Sequence, residues 1–304
     1  MAVTKGKFPD AINPIFRAMM EEPFDGEGLD IVKELYDTDT STRPEERLTS
    51  ISGLPKFPKF TGTLVYKDPV QGYDVTATHV TYAMGVQITR ETWDDDQHGQ
   101  IKRIFEGFKD AAWETRQDDG AQILNNAFVN DTEFYNHTEA VALCSNSHTS
   151  PDGDVSTSSG FDNLSTTSLS ATALSAARYT MRLFKDFKGI RIDKVPDTLI
   201  VPAELDDEAL KIVQTKVGLD TAAGDANVQA GRYRVVSSTR LTDTNNYFVT
   251  NSGIAKKSFI WYDRVPYETD RMESFDQFNF KGRAYMRYSY LWLCWQGILG
   301  FQVS

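Results

Sequence analysis

Acidic side chains stand close together at two points of the sequence where they could do chemistry. Adjacent carboxylates such as Asp94–Asp96 raise one another's pKa, which suits general acid–base work or metal binding. The same run lies where a helix is expected to begin, so capping and the helix dipole explain it more simply. Asp152–Asp154 resembles half of a calcium loop, but the rest of the ligand pattern is missing. We interpret the first run as a helix cap and the second as a turn.

Histidine and cysteine are the other residue types that could bind a metal or act as nucleophiles. The cysteines, Cys144 and Cys294, lack the pairing of a zinc ribbon, and the stretch from Cys144 to His148 lacks a third, orienting group. No GxSxG, Walker A or GxGxxG motif is present. None of the histidines has the i, i+4 spacing of a metal-binding helix; they are His79, His98, His137 and His148. We therefore expect no catalytic residue, no cofactor and no metal, and predict that the protein is not an enzyme.

The overall charge narrows the possible partners. The chain has 304 residues with 43 acidic and 32 basic side chains, which gives a net charge of −11. This balance argues against a protein that grips nucleic acid, because phosphate binding needs basic stripes. The most apolar stretch, Tyr290–Phe301, is well short of the ~20 residues needed to cross a bilayer. With few cysteines and no secretion signal in residues 1–20, we expect a soluble intracellular protein that binds no membrane.

The clearest element that could position side chains is a long amphipathic helix. It is expected to start within residues 92–96, and apolar residues from Ile101 to Phe128 then follow three–four spacing with charges between them. At 1.5 Å per residue, this pattern predicts a rod of about 50 Å. A helix of that length in a small domain acts as a structural beam rather than as the wall of a site.

The residues before this helix predict a β-hairpin. Thr63–Lys67 alternates between apolar and polar residues, Ala77–Glu91 is rich in strand formers, and Asp68–Tyr73 between them carries turn residues. Few packing partners are evident for such a hairpin. Because exposed strands invite aggregation, we expect a neighbouring molecule to cover it.

Residues 1–60 contain many prolines and glycines and little periodicity, which predicts an extended arm without a compact core. Short helices are expected at about Pro14–Met20 and Leu29–Leu35. Isolated apolar side chains along the arm need a surface to lie on, and that surface can belong to another subunit; these side chains are Phe8, Phe16, Phe24, Leu35, Phe57 and Phe60.

The second half of the chain alternates between helix and strand patterns, which indicates an α/β lobe. A long polar surface loop is expected from Cys144 to Ser170, and a helix from Ser170 to Phe187 that ends at Gly189. The later predicted elements are a strand at Thr198–Val201, a helix at 204–216, paired strands at Arg232–Ser238 and Tyr247–Asn251, a strand at Ser258–Asp263 and strand formers from Gly282 to Val303. The fold class is therefore predicted as α+β.

The order of these parts resembles the major capsid protein of tailed bacteriophages, with the Hong Kong 97-like fold, and within it the Mu-like major head subunit family. The resemblance covers nearly the whole chain and depends on the order and spacing of several segments. Those segments are Tyr82–Glu91, Asp119–Phe128, Leu199–Pro202, Arg232–Val236, Asp243–Tyr247 and Phe259–Asp263.

The resemblance implies an icosahedral head built from hexamers and pentamers around double-stranded DNA, which is held without sequence-specific binding. The implied partners are portal and scaffolding proteins, with a decoration protein as an optional further one. The implied location is the virion, with assembly in the host cytoplasm. The implied divisions are an N-terminal arm at 1–58, an extended β-hairpin loop at 59–91, a peripheral domain with its spine helix at 92–134, an axial domain at 135–265, and a return to the peripheral domain at 266–304.

The resemblance also directs attention to subunit contacts. Scaffolding is expected as a separate protein, and Lys67 with Asn245 or Asn246 is chemically eligible for the covalent cross-link found in some relatives. Packing within one subunit remains the alternative role for each candidate contact residue. Two other functions stay open at this point: a soluble hydrolase that depends on a metal or carboxylates, and a phage tail or adhesin component. The candidate contacts are Phe57, Phe60, Tyr66, Tyr73, Arg90 and Glu91.

Overall fold

The fold is described on a computed structural model of the chain. The structure describes residues 28–51, 54, 56–66, 68–69, 71–95, 100–151, 161–216, 227–274 and 279–303. The predicted helix at Pro14–Met20, the Asp152–Asp154 turn, His98 and the eligible Lys67 lie outside these residues.

Helices are interspersed among runs of strands in the described residues, and most strand pairs are antiparallel, as is typical of an α+β fold. The helices are α1 (Ile31–Leu35), α2 (Arg90–Asp94), α3 (Gln100–Asn125), α4 (Ala171–Leu183), α5 (Asp206–Gln214) and α6 (Ser252–Ser258), with a 3-10 turn at Ala203–Leu205. The strands are β1 (Asp37–Thr40), β2 (Glu45–Ile51), β3 (Gln71–Thr78), β4 (Val80–Thr89), β5 (Tyr135–His137), β6 (Leu164–Ser165), β7 (Thr198–Pro202), β8 (Arg234–Ser238), β9 (Tyr247–Thr250), β10 (Phe259–Ser274), β11 (Asn279–Trp292) and β12 (Ile298–Phe301).

A long sheet, the first of three in the described residues, has the strand order β1-β10-β11-β4. The strands β10 and β11 pair antiparallel along most of their length, β4 pairs antiparallel with β11, and β1 runs parallel to β10. Aromatic residues near the end of β11 point into the core, where Tyr288, Tyr290 and Trp292 are almost fully buried. This concentration of large rings anchors one end of the sheet, since each buries a large apolar area.

The long helix α3 confirms the predicted structural beam, although it is shorter than expected. It ends at Asn125, and a separate short helix, α2, precedes it. Asp94 ends α2 and Asp95 follows in a turn, while Asp96 of the predicted cap lies outside the described residues. Along α3, Arg103 and Glu106 are exposed, whereas the residues from Ala121 to Leu124 face the core. The beam is therefore anchored at its C-terminal half.

Residues 31–51 do not form the extended arm that the sequence predicts. The helix α1 confirms the expected helix near Leu29–Leu35, but Ile31, Val32 and Leu35 are buried in the chain's own core. The strand β1 then joins the long sheet, and β2 pairs with β3. The sequence does not reveal this packing, because α1 spans barely more than one helical turn, which is too short to show a periodic apolar pattern among the nearby prolines and glycines.

The predicted hairpin between Thr63–Lys67 and Ala77–Glu91 is not formed. Instead β2 and β3 pair antiparallel, with Ile51 opposite Gln71 where the pairing ends, and the described residues of 54–66 form no strand. The strand β4 pairs with β11, which lies far away in the sequence. The strand pattern at Ala77–Glu91 is divided between β3 and β4, which belong to different sheets. The hairpin that does form, between β2 and β3, therefore lies closer to the N-terminus than the predicted one.

A second sheet has the order β6-β12-β9-β7-β8, and a third, three-stranded sheet has the order β2-β3-β5. The strand β7 confirms its prediction, and all of its residues are buried. The predicted pair Arg232–Ser238 and Tyr247–Asn251 is wrong as a pair, since β7 lies between β8 and β9. The strand β12 pairs with β9, so the C-terminal return to the first sheet stops at β11 and the final strand completes the second sheet.

The polar stretch from Cys144 to Ser170 is not a surface loop where the structure describes it. Its residues His148 and Asn163 are fully buried, and the side-chain amide of Asn163 donates to the carbonyls of Leu143 and Ile298. Helix α4 ends at Leu183, one turn earlier than predicted. The predicted cap, Gly189, has a φ of 74° and lies in the turn that follows.

Candidate assembly surface

Among the described residues, the most exposed aromatic side chains are concentrated between β2 and β3. The exposed fraction of the side chain is 99% for Phe57, 86% for Tyr66 and 68% for Phe60. Isolated exposed apolar residues are ordinary, but a run of aromatic and aliphatic side chains marks a surface that another molecule covers. We call residues 54–66 the projecting segment; its other exposed apolar side chains are Leu54, Leu64 and Val65.

Local backbone chemistry explains why this segment projects. The β2–β3 ladder ends at Ile51 and Gln71, and Pro58 lacks the N–H that a central strand needs. Gly62 has a φ of 103°, which a residue with a side chain rarely adopts. Among the described residues, no backbone hydrogen bond joins the segment to the rest of the chain. The segment is thus held at its two ends by β2 and β3.

Tyr73 lies within β3 rather than at a hairpin tip. Its ring centroid is 5.8 Å from that of His137 and 6.1 Å from that of Phe187. Its hydroxyl lies 2.6 Å from Oγ1 of Thr149, at hydrogen-bond distance. These contacts give Tyr73 a packing role inside its own subunit, so the structure separates it from the exposed Phe57, Phe60 and Tyr66.

Arg90 and Glu91 are the first residues of α2 and directly follow β4. Both are exposed and lie where the long sheet passes into the helices. The structure therefore places these two predicted contact residues on the surface, in a different part of the fold from the projecting segment.

A charged cluster fastens the helix α3 to the long sheet. The guanidinium of Arg116 donates to both carboxylate oxygens of Asp263, with N–O distances of 2.8 and 3.0 Å. The indole Nε1 of Trp261 donates to the same carboxylate at 2.9 Å, and the guanidinium lies 5.0 Å from the centre of the Trp261 ring. A two-bond ion pair that also stacks on an aromatic ring fixes orientation as well as distance.

A second attachment lies deeper. The hydroxyl of Tyr288 on β11 donates to Asp119 on α3 at 2.7 Å. Burial raises the pKa of Asp119, and the hydrogen bonds from Tyr288 and Tyr82 act in the opposite direction. The Tyr82 and Tyr288 rings stack with their centroids 5.0 Å apart. The helix, β4 and β11 are therefore joined at one point through a carboxylate and two tyrosines.

The comparisons with known proteins agree with this architecture. A family model described as phage capsid protein matches residues 72–298.

The chain belongs to the phage capsid protein family.

Solved structures show the fold of this capsid protein. It has a TM-score of 0.61 and 12% identity to the capsid of cyanophage P-SCSP1u, with 95% of this chain and 94% of that chain covered. The corresponding values for the capsid of Ralstonia phage GP4 are 0.59, 10%, 99% and 97%. For the mature capsid of bacteriophage PhiM1 they are 0.55, 8%, 100% and 92%. No curated protein sequence matches the chain.

These findings confirm the predicted tailed-phage major capsid protein and its Hong Kong 97-like fold. They identify a structural protein of the virion capsid. The narrower Mu-like assignment stays a prediction. The two alternative functions, a hydrolase and a tail or adhesin component, lose their basis, because the family match covers most of the chain.

Cys144 and His148, which the sequence offers as a reactive pair, are buried in this capsid protein and do not form a site. Burial raises the pKa of the Cys144 thiol, which disfavours the reactive thiolate. The ring nitrogens of His148 are within hydrogen-bond distance of Glu139 and the carbonyl of Leu143, so no cysteine–histidine dyad forms. Among the described residues, no group of acidic, histidine and cysteine side chains could hold a metal ion. The described helices also include none with the length and apolar composition needed to cross a membrane.

Sequence reasoning missed a stack of histidine and tryptophan rings in the core. His137 stacks on Trp292 with centroids 4.0 Å apart, and His148 stacks on Trp295 at 4.7 Å. Burial lowers the pKa of His137 to about 4. The only signal in the sequence was the concentration of aromatic residues near the C-terminus, which indicated a core without naming the histidines.

Proposed function

We propose that this capsid protein assembles with copies of itself into hexamers and pentamers that close an icosahedral head around double-stranded DNA. The projecting segment carries the proposal, because Phe57, Phe60 and Tyr66 are not covered by any of the residues that the structure describes. Burying each such ring against a neighbour contributes roughly 1.5–3 kcal/mol, and many copies of a modest contact add to a stable shell. Phe57, Phe60 and Tyr66 are therefore assigned to the interface between subunits.

The long sheet and the second sheet are assigned to different domains of the capsid subunit. The helix α3 and the long sheet supply the peripheral domain, and the second sheet supplies the axial domain near the symmetry axes. We assign the extended loop to β2, the projecting segment and β3, in place of the expected range of 59–91. Residues 1–27 keep the proposed role of an N-terminal arm.

The net charge of −11 supports a container rather than a DNA-binding protein. Its acidity opposes tight contact with phosphate, which lets DNA enter and leave without sequence-specific binding. The proposed partners are the portal, a separate scaffolding protein and, on the outside, a decoration protein. Assembly is proposed to take place in the host cytoplasm, and no catalytic activity or cofactor is assigned.

Replacing both exposed phenylalanines tests the role of the projecting segment. The Phe57→Ser, Phe60→Ser variant should lose particle assembly by at least tenfold, measured by light scattering, while its melting temperature stays within about 2 °C of the wild type. Tyr73→Phe serves as the matched control, because it removes only a hydroxyl that bonds within the subunit. Normal particle yield from the double serine variant would contradict the assignment.

A further inference from the structure

The outer edge of β4 lacks the features that keep sheet edges from pairing with other chains. In the order β1-β10-β11-β4, no other described strand pairs with its outer side. The ten residues Val80–Thr89 contain neither a charged side chain nor a proline. They pair with β11 without a register shift, so no bulge turns the edge away. Long, regular and uncharged edges are sites where another strand adds.

The opposite edge of the same sheet shows the contrast. The strand β1 has only four residues, and Asp37 and Asp39 place carboxylates on it. Shortness and charge are the usual protections of an edge. The sheet therefore closes one edge against association and leaves the other available.

A strand-forming stretch without a ladder lies in the projecting segment. Thr63, Val65 and Tyr66 have the β-branched and aromatic side chains typical of strands, and the alternation there predicts a strand. In the described part of the chain this stretch has no strand partner. Leu64, Val65 and Tyr66 are 68%, 57% and 86% exposed.

Charge gives the two elements an orientation. The projecting segment carries Lys56 and Lys59 and no acidic residue. The end of β4 leads to the exposed residues Glu91 and Asp95, and the stretch 90–95 has a net negative charge. Placing the lysines near these acids directs residues 63–66 back along β4, antiparallel to it.

A hollow beside the edge offers space for a side chain. It has a volume of about 490 Å³ and lies next to Gly85 and Gly282 on adjacent strands, with Met272 on its wall. Gly85 lies opposite Arg283 and Gly282 opposite Val86, so the two glycines face opposite sides of the sheet, and the missing side chain at Gly85 leaves the face with the hollow low at this point. An aromatic ring such as that of Tyr66 fits a space of this size.

We propose that residues 63–66 of one subunit add as an antiparallel strand to the outer edge of β4 in a second subunit, with Tyr66 entering the hollow at Gly85. This pairing rests on the proposed self-assembly and specifies the bonding at one of its interfaces. Backbone hydrogen bonds supply the binding, and the exposed apolar side chains supply the burial.

Disulfide trapping within assembled particles tests the pairing. Leu64→Cys, on the same strand face as Tyr66, is combined in turn with Thr81→Cys, Ala83→Cys or Gly85→Cys, since neighbouring strands lie about 4.8 Å apart and a disulfide needs Cα atoms about 4.4–6.8 Å apart. At least one pair should give a ladder of dimers and larger species on a non-reducing gel. Leu64→Cys with Thr38→Cys, on the opposite edge, is the control and should give none.

Particles that form without a ladder from any of the three pairs would overturn the strand pairing and leave self-assembly intact. A link confined to single chains would overturn it as well. Failure of the wild-type chain to form particles would instead contradict the proposed function itself.

A charge on the edge provides a second measurement. Ala83→Lys should reduce particle yield at least tenfold, whereas Thr38→Lys on β1 should leave the yield within about twofold of the wild type, with both variants folded by circular dichroism. Equal yields from the two lysine variants would contradict the proposal.

Discussion

At the residue scale, the buried His137 makes the stability of the core depend on pH. His137 is 3% exposed, stacks on Trp292, and accepts a hydrogen bond at Nδ1 from the backbone N–H of Glu139. The pKa of His137 is lowered to about 4 by burial, below the ordinary value near 6.5. Between these values the unfolded chain binds the proton and the folded chain does not. The free energy of unfolding must therefore fall as the pH is lowered through this window.

The His137→Phe variant should remove this part of the pH dependence. We expect the wild-type free energy of unfolding to drop by about 3 kcal/mol more than that of the variant between pH 7 and pH 4, because a pKa shift of one unit corresponds to about 1.4 kcal/mol. Phenylalanine keeps the ring that stacks on Trp292 but cannot be protonated. Chemical denaturation of the unassembled chain at several pH values measures the difference, and identical pH profiles would refute the role of His137.

The residue scale also shows where sequence reasoning fails. The stretch around His148 reads as a polar loop, yet His148 is fully buried because Glu139 and the carbonyl of Leu143 satisfy its ring nitrogens. Burial of a polar side chain depends on partners that only the fold supplies. For Phe57 and Phe60 the sequence was sufficient. The residues around them show no helix or strand periodicity, and this predicted that their side chains would not pack into the subunit's own core.

At the scale of elements, local patterns were predictable and distant pairings were not. The helix α3 and the strand β7 follow from periodicity and from a short apolar run. The pairing of β4 with β11 joins residues nearly two hundred positions apart, as Thr89 opposite Asn279 shows. No local pattern identifies such a partner, so the sequence placed β4 in a hairpin with its nearest strand-forming neighbour.

The two glycines of α3 allow a matched test of how the beam is fastened. A Cβ added at Gly120 would lie 2.7 Å from Cγ2 of Val32 and 3.0 Å from Cγ2 of Ile31, both on α1. A Cβ at Gly107 would meet nothing within 4 Å. The same substitution therefore adds a clash at one position and only helix propensity at the other.

We expect Gly120→Ala to lower the free energy of unfolding by about 1–2 kcal/mol, since overpacking outweighs the gain in helix propensity. Gly107→Ala should raise it by about 0.5–1 kcal/mol. Thermal and urea denaturation of both variants give the comparison. Equal effects of the same sign would show that α1 does not pack tightly on the beam.

At the scale of the whole molecule, the fold separates stability from assembly. The core is closed, as the burial of Trp261, Trp292 and Trp295 shows. It is formed by the sheets, the end of α3 and the histidine–tryptophan stack. The projecting segment and the β4 edge lie outside it and contribute little to the subunit's own stability. Variants of these surfaces should therefore change assembly without unfolding the subunit, which makes the two properties separable by experiment.

The order of elements along the chain, more than any single motif, identified the capsid fold from the sequence. A family match over residues 72–298 confirms the capsid family, although the match begins after the predicted arm. The boundaries between domains could not be predicted in the same way. The strand β10 crosses the expected boundary at residue 265, and β12 returns to the second sheet, because the chain passes between the sheets more than once.

The most direct test of the central claim is the mass of the purified wild-type protein in solution. Size-exclusion chromatography with light scattering, followed by negative-stain microscopy, should show rings of five or six subunits or closed shells tens of nanometres across. A chain that remains a 34.2 kDa monomer at high protein concentration and without denaturant would contradict self-assembly.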